Sequence, residues 1–259
     1  MRVLRRAAYG APARRQGSGS LEPSGMLSSV LIAAAVTALF AALAYALGMV
    51  GRSGALGGFV IGTAVFLFSG PEGFALLALF VLGGSALTKL GYGRKSRAGT
   101  AETYGGRRGA RNALANCSVA VLLAALYAVT GSGALLVAFA ASLGAAFADT
   151  AESEVGQLYG GEPRLITDLR PVPPGTDGAV SLPGTLAGLA AAALMAFAAL
   201  VLGIADGTGA ALIVAVAGFA GTLADSLIGA KLPQLGNEAT NLACTLVAAG
   251  ISLLLLALV

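Results

Sequence analysis

From Met26 to Leu47 the chain carries no charged side chain, and apolar runs of this kind recur all the way to the C-terminus. That recurrence constrains the fold more than any single motif. A bilayer core about 30 Å thick calls for roughly 20 apolar residues per helical span. It also leaves the backbone to satisfy its own hydrogen bonds. Of the 259 residues 57% are hydrophobic and 11% charged, against roughly a quarter charged in soluble domains. The expected fold is therefore all-α, a polytopic helical membrane protein with seven or eight transmembrane segments. Spans are predicted at 26–47, 55–69, 73–90, 112–130, 133–150, 184–205, 208–230 and 239–258. The second and third are short enough for one to be re-entrant. Residues 1–25, rich in Arg, Gly and Ser, form a predicted disordered basic tail, and 26–259 a single integral-membrane domain.

Charge orients these spans. Seven of the sixteen Lys and Arg residues fall between Lys89 and Arg111, and such loops stay cytoplasmic. Counting outward, residues 150–183 and 231–238 share that side, so the polar motifs are expected on one cytoplasmic face of the cell membrane. The five arginines of the tail conflict with this orientation if three full spans precede the basic loop. A re-entrant segment, or a true start near Met26, removes the conflict. Gly54, Gly58 and Gly62, like Gly184 and Gly188, repeat every four residues and suggest close helix packing.

The chemistry available is narrow. There is no His, and Cys117 and Cys244 both lie in predicted helices, which excludes a Ser-His-Asp triad, a His-based zinc motif and a disulfide framework. No GxxxxGK[ST] motif occurs, and nothing points to nucleic acid. Carboxylates remain. Asp149, Glu152 and Glu154 close the uncharged run Gly133–Ala148. If the helix continues, Asp149, Glu152 and Ser153 share a face. Asp225 ends the seventh span on the same side. Ionisable groups at such depth face a bundle interior or a watery cavity and carry function by default. Asp149, Glu152 and Asp225, hard oxygen donors from different helices, suit Mg²⁺, which takes one or two carboxylates plus substrate phosphates. Lys89, Arg107, Arg108 and Arg111 flank a Gly-rich loop suited to phosphate oxygens, with Arg170 a weaker partner. Asn at a helix start is commonly a cap, which would explain Asn112 or Asn237. Asn116 and Asn241, one turn further on, need hydrogen-bonding partners. The Pro- and Gly-rich segment 159–184 is a shaped loop, either a lid over Asp149 or a rigid connector.

Several segments together resemble a known family: Gly84-Ser-Ala-Leu-Thr-Lys89, Asn112-Ala-Leu-Ala-Asn116, Phe147-Ala-Asp-Thr-Ala-Glu-Ser-Glu-Val-Gly156, Arg170-Pro-Val-Pro-Pro-Gly-Thr-Asp-Gly-Ala-Val-Ser181 with Gly184-Thr-Leu-Ala-Gly188, and Asp225-Ser-Leu-Ile-Gly-Ala230 followed by Asn237, Glu238 and Asn241. The resemblance is to the membrane family that contains the plant chloroplast phytyl-phosphate kinase and the animal transmembrane protein 19. It implies a CTP- and Mg²⁺-dependent kinase that converts an isoprenoid monophosphate to the diphosphate. Lys89, Asp149, Glu152 and Asp225 would then be catalytic. Arg107, Arg108, Arg111, Asn116, Arg170, Thr176, Asp177, Asn237, Glu238 and Asn241 would bind nucleotide or substrate phosphate. The partners implied are the nucleotide, the isoprenoid phosphate and the lipid bilayer; the oligomeric state is left open. A prenyl-phosphate acceptor is already largely ionised near neutrality, so the lack of His fits it better than an alcohol acceptor, which profits from a general base. The alternatives are a CDP-lipid-forming cytidylyltransferase, a prenol kinase or, in a different class, an ion or solute transporter. A transporter more typically binds at the bilayer midplane.

Overall fold

The computed structural model describes residues 23–259; the basic tail expected over 1–25 lies outside them except for its last three residues, which open the first helix. The long helices are α1 (Pro23–Ala46), α2 (Arg52–Lys89), α5 (Ala110–Thr130), α6 (Gly133–Tyr159), α7 (Leu182–Val201), α8 (Gly207–Lys231) and α9 (Asn237–Leu258). All seven are long and apolar enough to cross a membrane. Two short helices, α3 (Tyr92–Arg97) and α4 (Thr103–Gly106), interrupt the basic loop. Strands β1 (Arg164–Leu165) and β2 (Ala179–Val180) pair antiparallel across the loop after α6.

Local chemistry sets the boundaries. Ser181 caps α7 by accepting from the Gly184 amide at 3.3 Å, with Pro183 in the first turn, where its missing N–H costs nothing. Gly131 closes α5 in the left-handed conformation, φ 70°, which glycine adopts without strain. Helix α2 is not one rod. Gly70 is non-helical (φ 78°, ψ −178°) and Pro71 follows it. The chain folds back there, because Gly54 approaches the Arg108 carbonyl while Gly84 approaches the Arg108 guanidinium. The two arms match the predicted spans 55–69 and 73–90, and each covers about 27 Å at 1.5 Å per residue. The hairpin as a whole starts and ends on one face, with its tip on the other. The hairpin therefore leaves the orientation of α1 unchanged, and Pro23 lies across the bundle from the basic loop.

All the polar loops meet on one side. The Arg94 guanidinium reaches the Leu158 carbonyl at 3.3 Å, Gly175 lies against Thr100, and Gly178 packs on Ala230. Every one of the eleven Lys and Arg residues within 23–259 belongs to this face. The turns on the opposite side carry the acidic Glu72 and Asp206 instead.

At the centre stands α6, packed on α2, α5, α7, α8 and α9. Its run of Ala, Gly and Ser admits close neighbours. A Cβ on Gly218 of α8 would come within 3.3 Å of the α6 backbone, and one on Gly184 of α7 within 2.7 Å of the Glu152 carbonyl. The helix passes the predicted end at 150 and continues to Tyr159, so Asp149, Glu152 and Glu154 lie on it rather than in a loop. The predicted shared face needs one correction. Glu152 is buried and Asp149 partly so, but Ser153 is exposed, since a 100° step from Glu152 turns it outward.

Candidate functional site

Asp149 and Glu152 come from α6 and Asp225 from α8, each beneath the loop-bearing face. They lie within electrostatic reach of one another. Thr185 of α7 donates to Glu152 Oε1 at 3.1 Å, Thr222 stands beside the same carboxylate, and Thr240 of α9 beside Asp225. The remaining oxygens, Glu152 Oε2 and Asp225 Oδ1, are buried with no hydrogen-bond partner. Unmatched buried carboxylate oxygens are costly; Glu152 Oε2 lies close to Gly188 of α7, and Asp225 borders an open pocket. Among the described residues no three His, Cys, Asp or Glu side chains could hold a metal ion by themselves. Any ion here would thus need oxygens from elsewhere.

Beyond Asp225 opens a polar pocket of about 260 Å³ between Asp177, Gly178, Gly229, Asn237 and Thr240. The loop after α6 forms its roof. Gly178 (φ 74°) fits against Ala230 where a Cβ would come within 2.5 Å, and Gly229 leaves room for Asp177. Thr176 holds the turn through its bond to the Pro173 carbonyl at 2.7 Å. The Pro- and Gly-rich segment thus covers the carboxylates from the α8 side.

On the other side stands Arg108. Its guanidinium donates to Thr88 Oγ1 at 3.2 Å, Thr150 Oγ1 at 3.4 Å and Asn112 Oδ1 at 3.5 Å. Its Nε is buried without a partner. Asp149 lies close enough to feel its charge, but no carboxylate is within ion-pair distance; among the described residues only Lys95–Glu154 and Arg170–Asp168 form ion pairs. Arg108 also lines the mouth of an apolar groove of about 710 Å³ between α1, α2 and α5.

The other expected residues divide. Lys89 donates to the Leu47 carbonyl, and with Arg107 it surrounds Gly48 at the α1–α2 turn. Arg111 is exposed at the start of α5. Asn116 is buried and bonds back to the Asn112 carbonyl at 2.9 Å. Arg170 is exposed and pairs with Asp168 at 3.4 Å. Asn237 borders the polar pocket; Glu238 is exposed and Asn241 half-buried on the first turns of α9. Sequence reasoning missed the hydroxyls Thr88, Thr150, Thr185 and Thr240. It also missed Lys95, fully buried against Glu154 and bonded to the Leu87 and Thr88 carbonyls at 3.2 and 2.9 Å. Thr88, Thr150 and Thr185 did stand within motifs of the sequence and Lys95 within the basic loop; Thr240 had no local signal.

Fold and site together define an integral membrane protein with a buried polar layer under one face, open to an apolar groove on one side and a polar pocket on the other. Residues 35–241 match the family of integral membrane proteins DUF92, and the chain belongs to that family. It is 34% identical over 201 residues to an uncharacterized membrane protein of Synechocystis sp., covering 75% of this chain and 78% of the relative. An uncharacterized membrane protein of Methanocaldococcus jannaschii is 34% identical over 212 residues, 79% of this chain and 84% of the relative. The chloroplastic protein VTE6 of Arabidopsis thaliana is 36% identical over 156 residues, 58% of this chain and 47% of that protein. No solved structure matches the chain.

Proposed function

We propose that the protein is a phosphotransferase that moves a phosphoryl group from CTP to a membrane-held isoprenoid monophosphate, forming the diphosphate. One observation carries the reading: an arginine without a carboxylate partner stands between an apolar groove and a buried carboxylate cluster. Charge of that kind, held ready before the reaction, is what phosphoryl transfer asks of a protein, together with alignment of the reactants. The family resemblance, through its plant phytyl-phosphate kinase, points the same way.

In this reading Arg108 binds the acceptor phosphate with its forked donors. The hydroxyls of Thr88 and Thr150 hold the guanidinium in place. The polar pocket beside Asp177, Asn237 and Thr240 takes the nucleotide, and the loop above it excludes water. The unpartnered oxygens of Glu152 and Asp225, with Asp149 nearby, fit Mg²⁺, with nucleotide phosphates completing the shell. When bound, Mg²⁺ supplies positive charge to the phosphate oxygens. The clustering of every Lys and Arg of residues 23–259 on one face favours a cytoplasmic site.

The test is incubation of purified protein with radiolabelled CTP and geranylgeranyl or phytyl phosphate. The expected products are the lipid diphosphate and CDP. CDP-lipid with pyrophosphate would make the protein a cytidylyltransferase instead, and no product with any prenyl phosphate would end the enzyme reading.

A further inference from the structure

The groove between α1, α2 and α5 has a polar mouth and an apolar interior. Arg108, Asn112 and Ser85 stand at the mouth, level with the loop-bearing face. From there the walls run down both arms of α2 and along α5, past Gly58, Ala113 and Leu77 to Ile61. The second arm alone, from Ser85 to Phe74, gives the groove a length of about 16 Å at helical rise.

Its far end is closed. Phe40 of α1 and Phe74 of α2 meet edge to face with centroids 5.5 Å apart. Just beyond them the Thr37 and Thr63 hydroxyls join α1 to the first arm of α2 at 2.7 Å. The side is less sealed, since α1 packs on α2 and makes no comparable contact with α5. A gap between α1 and α5 therefore faces the surrounding lipid. At Gly58, where the repeat suggested helix packing, a Cβ would meet nothing within 4 Å. That glycine opens the wall of the groove.

An apolar bore with one unpaired cation at its mouth matches a single-chain amphiphile with an anionic head. A two-chain phospholipid fits less well, because one bore closed by a ring pair holds one tail.

We propose that this groove binds the isoprenoid tail of the acceptor, that Arg108 receives its phosphate at the mouth, and that the Phe40–Phe74 pair sets the length of chain that enters. The assignment rests on the kinase reading for the identity of the head group. The groove as a tail site can be tested apart from it.

The experiment uses full-length protein in detergent and a geranylgeranyl monophosphate carrying a diazirine at the tail end. Photolysis should label peptides containing Phe40, Ile61 or Phe74. Unlabelled geranylgeranyl phosphate should suppress the labelling, and phosphatidic acid should not. Label confined to α7, α8 or α9 overturns the proposal, and so does equal competition by phosphatidic acid, which would make this an ordinary phospholipid site. Gly58→Leu fills the wall without a backbone clash and should cut labelling and raise KM for the long-chain acceptor at least about tenfold, with Gly58→Ala intermediate. Unchanged labelling and KM in a normally melting Gly58→Leu protein also overturn it. Groove labelling without nucleotide-dependent product would leave the tail site standing and remove the kinase reading. Product formation with label elsewhere does the reverse.

Discussion

Two sets of charged residues share one face of this protein and differ in how they are held. On the loops, Arg170 pairs with Asp168 in the open and Lys89 caps a helix-end carbonyl. Between the helices, Glu152, Asp225 and Arg108 keep polar atoms buried and unmatched. Exposed pairs are cheap to form and contribute little. Buried unmatched groups carry a cost that a folded protein retains only where something else meets it. The contrast separates surface charge from a site, and it does so without reference to any relative.

The largest effect expected breaks the inner set. Asp149→Asn, Glu152→Gln and Asp225→Asn should each lower turnover by about a hundredfold or more, while melting in detergent stays close to that of the parent protein. Three active variants would reduce these carboxylates to structural groups. Arg108→Ala comes next, with a loss of about 10- to 100-fold in kcat/KM. Arg108→Lys should recover only part of it, because a point charge cannot replace the fork. Arg107→Ala, one residue away, should cost far less than Arg108→Ala, and equal losses would erase the distinction between inner and outer arginines.

Lys95 sharpens the comparison because it is buried but fully partnered. Lys95→Met leaves Glu154 uncompensated and should cost about 3 kcal/mol of stability, read as a lower melting temperature. Lys95→Met with Glu154→Leu should recover much of that loss, and a cycle without recovery would show that the pair is not a unit. Gly184→Val tests the close approach of α7 to α6 and should cost about 1–3 kcal/mol through overpacking. The smallest effect belongs to Arg170→Ala: no measurable change in melting and at most about a twofold change in KM, as expected for an exposed pair.

Much of the architecture was legible in the chain. The apolar runs located the spans, and the break between 69 and 73 foretold the two arms of α2, since Gly followed by Pro interrupts a helix in any context. The carboxylates stood out because charge is rare at that depth. The division of labour among the basic residues was not legible. Arg107 and Arg108 are neighbours of one type, yet one lies over Gly48 and the other turns inward. Their fates follow from an extended backbone at 107 (φ −84°, ψ 112°), which sends successive side chains to opposite sides. Lys95 and Glu154 are 59 positions apart, a pairing that no local pattern announces. The threonines were silent for a similar reason: a hydroxyl in an apolar helix usually bonds its own backbone, as Thr63 does, so only a neighbouring helix reveals a second role.

The fold-back at Gly70 and Pro71 has a consequence for how the protein tolerates its surroundings. Helices tethered at both surfaces tilt or stretch the bilayer when its thickness changes. The two arms of the α2 hairpin leave from and return to the loop-bearing face, and only the short Gly70–Glu72 turn reaches the opposite side. The separation between Arg108 and the Phe40–Phe74 ring pair is therefore set by helix geometry and not by the membrane. A thinner or thicker bilayer alters only what bathes the tip. The measuring length proposed for the groove is thus insulated from lipid composition, and chain-length preference should be the same in short-chain and long-chain phosphatidylcholine vesicles.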